Sequence, residues 1–315
     1  MTERIPARLP KIRRADPAQL GPFTLGESHK RMLQLLHDHR YLTAPLLALA
    51  YSQDRGRGRS HVENEVGKLW QREYVERFYY STRPTGYGSN EFVYAIAPKG
   101  AHAILDREQY AGDRFAIYNR AKPKSNYQHH LAIATLQLIL ELGAGPWELE
   151  RFHSDDADET SFAATVNHRR RWFYPDALAV LRYANGKRAG YFFEIDLAHK
   201  ATERLESRFL AYAEHLTEHR EELKKEHGIA GAVAVFVVAN EHELDRLVDA
   251  AEDALGESNR DERRRFVLWN LESWYKRTPT GRELKDPRQI LADDNANTVA
   301  GSTRRLVNDY GFLTR

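Results

Sequence analysis

The 315-residue sequence contains no cysteine. This absence excludes disulfides, zinc–cysteine centres and thiol nucleophiles, so any metal ion has to be held by oxygen or imidazole ligands. Long apolar runs are also missing: none reaches the roughly 18 residues that a membrane-spanning helix needs, and the mean hydropathy is −0.66. The first residues lack the apolar segment of a secretory signal. We therefore expect a cytoplasmic protein that does not associate with a membrane.

The composition leaves room for two globular domains. Hydrophobic residues make up 42% and aromatic residues 11% of the sequence, which suffices for sizeable cores at roughly 100–200 residues per domain. The formal charge of +2 hides an asymmetry. Residues 1–110 contain 17 Lys and Arg but 12 Asp and Glu, whereas the remaining residues contain 30 and 33. The N-terminal third is therefore the better candidate for contact with a polyanion.

Residues 1–24 form a predicted flexible arm, because they contain four prolines and little helical or alternating pattern. Five basic side chains lie in this segment: Arg4, Arg8, Lys11, Arg13 and Arg14. Such an arm either follows the DNA backbone or only keeps the protein in solution. The sequence leaves both alternatives open.

Three helices are predicted after the arm, and the third, beginning at Ser60, is the most informative. Ser60 and Glu63 match the S-x-x-E capping box. One face of this helix is apolar and the other is polar and partly basic, a pattern that the major groove of DNA accepts. The apolar face contains Val62, Val66, Leu69 and Trp70, and the polar face contains His61, Asn64, Glu65, Lys68 and Arg72.

Two β-rich runs follow, REYVERFYY and NEFVYAIA, joined by the loop STRPTGYGS, and APKGAHAIL then returns to a helix. Three helices, a hairpin and this Lys-Gly turn resemble the winged helix-turn-helix family of bacterial regulators, so residues 25–110 are predicted to form such a domain. The resemblance implies that the helix from Ser60 is the recognition helix and that Arg83 lies in the wing. Double-stranded DNA is the expected partner, and a homodimer is a further expectation because winged modules often pair to read two half-sites. The alternative is a module for protein docking or dimerisation.

The loop DRGRGRS places three arginines before the N-terminus of the third helix, where backbone amides and guanidinium groups can hold phosphate together. Phosphate contact by this loop is the strongest single expectation for DNA binding. The predicted DNA-binding residues are Arg55, Arg57, Arg59, Ser60, His61, Asn64, Lys68 and Arg83.

A polar, basic stretch over residues 111–125 is the predicted linker to a second domain, residues 126–275. The patterns there predict, in order, a helix (NYQHHLAIATLQLILELG), three strands (WELERF, RRWFYPDALAVLRY and RAGYFFEIDLA, the last two separated by an Asn-Gly turn), a long helix from Thr202 to Lys225, an apolar strand (GAVAVFVVA), a helix and a strand (FVLW). The five tryptophans are interpreted as core residues. Residues 276–315 form an extension to which no role is assigned.

The order of these elements resembles the restriction-endonuclease-like core of the PD-(D/E)xK superfamily. Pro175-Asp176 lies on the second strand and Glu194-Ile195-Asp196 on the third, where that superfamily has its P-D and (D/E)-x-K elements. The predicted fold class is α/β, or α+β for the whole chain. It combines a winged helix-turn-helix with a restriction-endonuclease-like α/β domain that has a mixed central sheet.

The same residues suggest a metal site on chemical grounds. Side chains alternate along a strand, so Glu194 and Asp196 point to one face. If the preceding strand pairs with theirs, Asp176 joins them in an oxygen cage suited to Mg²⁺ or Mn²⁺, which could polarise a phosphodiester and activate a water molecule. Asp176, Glu194 and Asp196 are therefore the candidate metal ligands and candidate catalytic residues.

Asp196 stands where the superfamily has its lysine. Lys200 is the candidate catalytic cation in its place, and Arg204 or Arg208 on the next helix could also supply the charge. The alternative is that such cations merely pair with the carboxylates in a structural cluster and that the domain is inactive.

A winged helix followed by P-D and E-I-D-L on adjacent strands, with a long helix bearing Arg208 and Tyr212, resembles the replication-relaxation family of plasmids and other mobile elements over residues 28–250. The resemblance implies a role in plasmid replication or in relaxation at a transfer origin. Two functions follow from it. One is a DNA-binding protein that nicks or cleaves DNA as a Mg-dependent endonuclease, and the other is a non-catalytic regulator or accessory protein with a degenerate nuclease fold.

Overall fold

The computed structural model of the chain describes residues 14–55, 58–80, 91–112, 127–143, 147–154, 160–197, 201–256, 263, 265–278, 281–292, 296–298 and 303–304. The chain divides into two compact units, Met1–Thr135 with Arg277–Glu283, and Leu136–Lys276 with Leu284–Arg315. No helix in the described ranges combines the length and apolar character that a membrane crossing requires. The predicted linker lies almost wholly outside these ranges, and its bounds stay a prediction.

The first unit begins with three helices whose apolar faces pack together. They are α1 (Glu27–His39), α2 (Ala44–Arg55) and α3 (Arg59–Gln71). The apolar residues that recur at helical spacing in these helices are buried, as the sequence predicted. Each short helix gains most of its stability by withdrawing one apolar stripe from water. The fully buried members of these stripes include Met32, Leu33, Leu36, Leu47, Val62, Val66 and Leu69.

A small antiparallel sheet follows the three helices. Its strands are β1 (Leu42–Thr43), β2 (Val75–Tyr80) and β3 (Glu91–Ile96), in the order β1-β3-β2. The predicted hairpin is thus present, although its tip at residues 81–90 lies outside the described residues. The chain then enters the short helix α4 (Pro98–His102), in which a Cβ on Gly100 would lie 2.1 Å from the Tyr74 carbonyl oxygen. Glycine is needed there because the two backbone segments approach so closely.

Part of the predicted arm packs on the first unit. Arg14 donates through Nε to the Trp70 carbonyl at 2.9 Å and through Nη2 to Glu76 Oε2 at 2.9 Å. The guanidinium carbon of Arg72 lies 4.4 Å from the centre of the Phe23 ring. Residues from Arg14 onward therefore contact the helices and the hairpin, whereas Arg4, Arg8, Lys11 and Arg13 lie outside the described residues.

The later elements continue the chain in the following order. The helices are α5 (Tyr127–Leu142), α6 (Thr202–Glu218), α7 (Arg220–His227), α8 (Glu241–Leu255) and α9 (Pro287–Ala292). The strands are β4 (Trp147–Ser154), β5 (Phe162–Val166), β6 (Arg169–Phe173), β7 (Ala177–Tyr183), β8 (Arg188–Asp196), β9 (Ile229–Val238), β10 (Phe266–Asn270), β11 (Tyr275–Thr278), β12 (Gly281–Leu284), β13 (Ala296–Thr298) and β14 (Thr303–Arg304).

A mixed sheet of seven strands forms the centre of the second unit, in the order β14-β13-β10-β9-β8-β7-β4. Strands β8, β9 and β10 are parallel, and the pairs on either side of them are antiparallel. The apolar run of β9 is buried because the strand lies in the middle of the sheet, as expected for a strand covered on both faces. The predicted α/β class with a mixed central sheet is confirmed.

One predicted strand, RRWFYPDALAVLRY, is wrong because the structure divides it. Its first half is β6, which pairs with β5 in a separate two-stranded hairpin, and its second half is β7 of the large sheet. The turn of the hairpin has positive φ at Asn167 (52°) and His168 (60°), the geometry that folds a strand tightly back on its predecessor. Pro175, which lacks an N–H for a ladder hydrogen bond, lies between the two strands together with Asp176, so the predicted place of Pro175-Asp176 on a strand is wrong.

The predicted helix from Thr202 to Lys225 is also two helices. Its first part, α6, ends at Glu218, and His219 separates it from α7, which begins at Arg220. The apolar face predicted for this segment is confirmed, since Leu205, Phe209, Tyr212 and Leu216 are buried against the sheet and α8. The Asn-Gly turn is present as well, with Gly186 at a φ of 78°.

Described residues from Leu284 onward contribute to the second unit. Strand β13 pairs with β10, β14 pairs with β13, and Ile290 and Leu291 of α9 are buried. A Cβ on Gly143 would lie 2.1 Å from Cδ1 of Leu291, so the glycine gives α9 room to pack at the end of α5. Residues 296–298 and 303–304, in the segment to which the sequence assigned no role, therefore extend the sheet.

Candidate functional site

Asp176 is held beside the carboxylates of the next strand. Strands β7 and β8 are antiparallel, with Ala177 opposite Phe193. The Asp176 N–H donates to the Phe193 carbonyl at 2.9 Å, and the Ile195 N–H donates to Asp176 Oδ2 at 2.7 Å. Two hydrogen bonds thus fix Asp176 against the segment that contains Glu194, as the pairing of these strands predicted.

Glu194 lies under α6 and is bound by two of its side chains. The Tyr212 hydroxyl donates to Glu194 Oε1 at 2.9 Å, and Nη1 of Arg208 donates to the same oxygen. Arg208 and Tyr212 are one helical turn apart, so both reach the strand below. Glu194 is only 2% exposed, and a carboxylate at such a depth requires a charged partner. Arg208 supplies the cation that the sequence suggested for this region.

The titration of these groups reflects their coupling. Burial acts to lower the pKa of Arg208, but the charges of Glu194, Tyr212 and Asp176 and the hydrogen bond to Glu194 together leave this pKa raised. Burial, followed by the Glu194 charge, raises the pKa of Tyr212 well above its usual value. The guanidinium is therefore charged and the phenol neutral at neutral pH.

Asp196 faces a second arginine. It is 6% exposed, and its Oδ2 lies 3.9 Å from Nη2 of Arg246 on α8. The same guanidinium atom lies 2.9 Å from Oε2 of Glu243, which is also buried. Glu194 and Asp196 therefore point toward α6 and α8 on one side of the sheet, as the alternation of strand residues predicted.

The oxygens of Asp176, Glu194 and Asp196 do not form a cluster of metal-ligand spacing. In the described part of the chain, the group whose ligand atoms all lie within 4.8 Å of one another is Glu214, Glu218 and His219 on α6 and after it. The structure places arginines where the sequence predicted an ion. The metal-binding role of the three carboxylates stays a prediction, and Lys200 lies outside the described residues.

Helix α3 presents most of the predicted DNA-binding residues on its surface. Arg59, Ser60, Asn64 and Lys68 are exposed, whereas His61 is half-buried with its ring 6.4 Å from that of Tyr51. Each of the two basic side chains is paired within the helix: Arg59 Nε lies 2.6 Å from Glu63 Oε1, and Lys68 Nζ lies 2.6 Å from Glu65 Oε1.

The predicted capping box at Ser60 is wrong. The N-cap residue is Gly58 and α3 begins at Arg59, so Ser60 lies within the first turn. Glu63 turns to Arg59 rather than to a backbone amide, because a guanidinium four residues earlier is within reach of its side chain. Arg57, Arg83 and the side chain of Arg55 lie outside the described residues.

Sequence reasoning missed two groups of side chains. The first comprises Arg246 and Glu243, because no local pattern shows that α8 packs over Asp196. The second is on β6 and just after it, where Trp172 is 64% and Tyr174 52% exposed, so that the interpretation of every tryptophan as a core residue is wrong. The three arginines that directly precede Trp172 were the available signal, since such a run seldom lies in a core.

The sequence comparisons cover both groups of candidate residues. Residues 33–232, more than half of the chain, match the model of the replication-relaxation family. No match to the chain was found among curated proteins or solved structures. The matched range includes α3, Asp176 and strand β8 with Glu194 and Asp196. The chain belongs to the replication-relaxation family.

Proposed function

We propose that this protein binds duplex DNA through its first unit and does not cut it, as an accessory or regulatory protein of replication or mobilisation in a plasmid or other mobile element. The family name points to replication and relaxation. The exposed face of α3 is the observation that carries DNA binding. The arginines beside the buried carboxylates support the absence of cleavage.

The order of elements in the first unit supports a winged helix-turn-helix. Three packed helices are followed by the hairpin of β2 and β3 and a short helix, and in such domains the third helix enters the major groove. Val62, Val66 and Leu69 bury one side of α3 completely. The opposite side of this helix is therefore the one that remains for a partner.

That opposite side has the chemistry of a DNA-reading surface. Ser60, Asn64 and Lys68 are spaced four residues apart and form one strip along the helix. A hydroxyl, an amide and an ammonium group can bind base edges and phosphates. The Lys68 side chain is 54% exposed, and Glu65 keeps a second partner in His29, 2.8 Å away, so Lys68 can turn to a phosphate at small cost.

Gly67 lies beside this strip. It stands in the interior of α3, where glycine costs about 1 kcal/mol relative to alanine. A Cβ at this position would meet no heavy atom within 4 Å, so packing within the described structure gives no reason for the glycine. Close approach of the helix backbone to the groove of bound DNA does give a reason, because glycine has no Cβ to stand in the way.

The second unit fits a divalent ion poorly. Glu194 Oε1 already accepts hydrogen bonds from Arg208 and Tyr212, and Arg246 lies beside Asp196. A metal ion in this place would have to compete with fixed guanidinium charges in a buried setting. We therefore favour a degenerate nuclease fold over a Mg²⁺- or Mn²⁺-dependent endonuclease.

The DNA-binding part is tested by fluorescence anisotropy with a labelled duplex over a range of salt concentrations. Arg59→Gln and Lys68→Gln are expected to weaken binding. Each lost phosphate contact makes the negative slope of log affinity against log salt less steep by about 0.9. Lys30→Gln is the matched control, because Lys30 is an exposed lysine paired with Glu27 three residues away, as Lys68 is with Glu65. Gly67→Ala should stabilise the fold yet weaken binding. Unchanged affinity and slope in the α3 variants would overturn this surface.

The non-catalytic part is tested on supercoiled and linear DNA with Mg²⁺ or Mn²⁺. The expected result is no nicking or cleavage by the wild-type chain. Cleavage that disappears in Asp176→Asn and Glu194→Gln would instead establish the endonuclease.

A further inference from the structure

Strand β6 carries an unusual exposed surface on the second unit. Arg169, Arg170, Arg171 and Trp172 are all exposed along it, and the exposed Tyr174 follows. The side chains of Arg171, Trp172 and Tyr174 line a groove of about 440 Å³ together with Arg204 and Arg208 from α6. Glu203 is the acidic residue in this lining. We call Arg171, Trp172, Tyr174 and Arg204 the aromatic–arginine face.

The hairpin that presents this face is firmly anchored. Phe173 is buried, and its neighbour across the hairpin, Phe162, stacks on His215 with ring centres 4.0 Å apart and contacts Tyr212 at 5.0 Å. Because successive strand residues point to opposite faces, the burial of Phe173 directs Trp172 away from the core. The exposure of Trp172 thus follows from the packing of its neighbour.

The charge of the face is available to a ligand. In the described part of the chain, no carboxylate lies within ion-pair distance of Arg171 or Arg204. Arg208, in contrast, is engaged with Glu194. Uncompensated guanidinium groups beside exposed rings favour a ligand that has both negative charge and flat apolar surfaces.

We infer that the aromatic–arginine face binds single-stranded DNA, with unpaired bases stacked on Trp172 and Tyr174 and phosphates held by the arginines. Base stacking on aromatic side chains and a positive groove along the backbone are the features of single-strand binding. A duplex offers phosphates to arginine, but its bases are stacked on each other and hide their faces from a protein ring. This inference is separate from duplex binding by α3 and goes beyond it.

Intrinsic fluorescence of the full-length chain gives a direct readout. The other four tryptophans, Trp70, Trp147, Trp269 and Trp274, are at most 9% exposed, so quenching by an added oligothymidylate reports mainly on Trp172. We expect quenching with the wild-type chain. Trp172→Phe should abolish the quenching but keep most of the binding measured with a labelled oligothymidylate, since phenylalanine still offers a ring.

Affinity measurements separate stacking from general apolar contact. Trp172→Leu should weaken oligothymidylate binding about fivefold or more, the effect of losing one stacked base. Arg171→Gln with Arg204→Gln should make the slope of log affinity against log salt less steep by about 0.7 for each lost phosphate contact. Arg182→Gln is the control. Arg182 is an exposed arginine that is paired with Glu148, and it lies near the end of β7 that is farther along the chain from Tyr174.

Duplex binding should be unchanged in all Trp172 variants, so failure here is distinguishable from failure of the α3 proposal. The inference is overturned if Trp172→Leu binds oligothymidylate as the wild type does. It is equally overturned if this variant loses self-association in sedimentation experiments and keeps its affinity for oligothymidylate. Because Trp172 is exposed, a melting temperature equal to that of the wild type is expected and verifies folding.

Discussion

At the scale of single residues, Glu194 and Arg208 form an ion pair that is almost withdrawn from water. Their side chains are 2% and 15% exposed, and Tyr212 donates a further hydrogen bond to Glu194. Taking two charges out of water is costly, and the cost is recovered only when both partners are present. Replacing either residue alone should therefore lower the free energy of unfolding much more than replacing both together.

A double-mutant cycle tests this coupling. Arg208→Met should lower the free energy of unfolding by about 3 kcal/mol or more, because it leaves a buried carboxylate without its cation. Glu194→Gln together with Arg208→Met should recover most of that loss, since the double variant leaves neither member of this pair as an uncompensated buried charge. Urea unfolding of the two single variants and the double variant provides the measurement. Additive effects would contradict the coupling.

At the scale of elements, α6 and the β5–β6 hairpin meet at a buried histidine. His215 is 8% exposed and stacks on Phe162. Burial, followed by the positive charge of His219, lowers the pKa of His215 to about 4, and Glu222 opposes this only in part. The Nδ1 atom of His215 has no hydrogen-bond partner among the described residues. The contact between α6 and the β5–β6 hairpin therefore favours the neutral form of the His215 ring.

This histidine makes stability depend on pH in a predictable direction. An unfolded histidine gains its proton near pH 6.5, whereas His215 in the fold does so only near pH 4, so protons favour the unfolded chain in that window. Stability is expected to fall as the pH drops from 6.5, by about 2 kcal/mol at pH 5. His215→Phe keeps the ring and should remove this part of the pH dependence in urea unfolding.

The control for this measurement is His242→Gln, which replaces an exposed histidine on α8. It should leave the pH dependence as it is in the wild type. If His215→Phe and the wild type lose the same stability between pH 7 and pH 5, His215 is not the group responsible.

At the scale of the whole molecule, the sheet of the second unit is completed by segments that are distant in sequence. Strand β10 lies between β9 and β13, and the pairs Val267–Thr298 and Trp269–Ala296 stand opposite each other along its outer edge. Helix α9 adds the buried Ile290 and Leu291. Strand β13 thus protects an edge of β10 that would otherwise be open to other molecules.

Ending the chain after Glu283 should therefore lower the melting temperature of the second unit and promote aggregation through the uncovered edge of β10. Ile290→Ala is the milder test, with an expected loss of about 2 kcal/mol or more from the cavity. Duplex binding through α3 should persist in Ile290→Ala. Differential scanning calorimetry and light scattering measure both effects, and a truncated chain that melts as the wild type does would contradict the role of these strands.

The sequence by itself determined what depends on local pattern. The apolar stripes of α1, α3 and α6, the hairpin turn at Gly186, the buried run of β9 and the adjacency of Asp176 to Glu194 all follow from periodicity and turn chemistry. Such features can be read from the sequence because buried residues recur along a helix or strand at the period of that element.

Tertiary structure alone decided what depends on contacts between distant segments. It divided RRWFYPDALAVLRY into two strands, exposed Trp172, brought Arg246 to Asp196 and paired residues 296–298 with β10. Arg208 was a candidate from the sequence, but only the packing of α6 on β8 made it the partner of Glu194. Whether a carboxylate faces a metal ion or an arginine is fixed by the neighbouring elements, because the electrostatic cost of burial is met by whichever charge the fold places nearest.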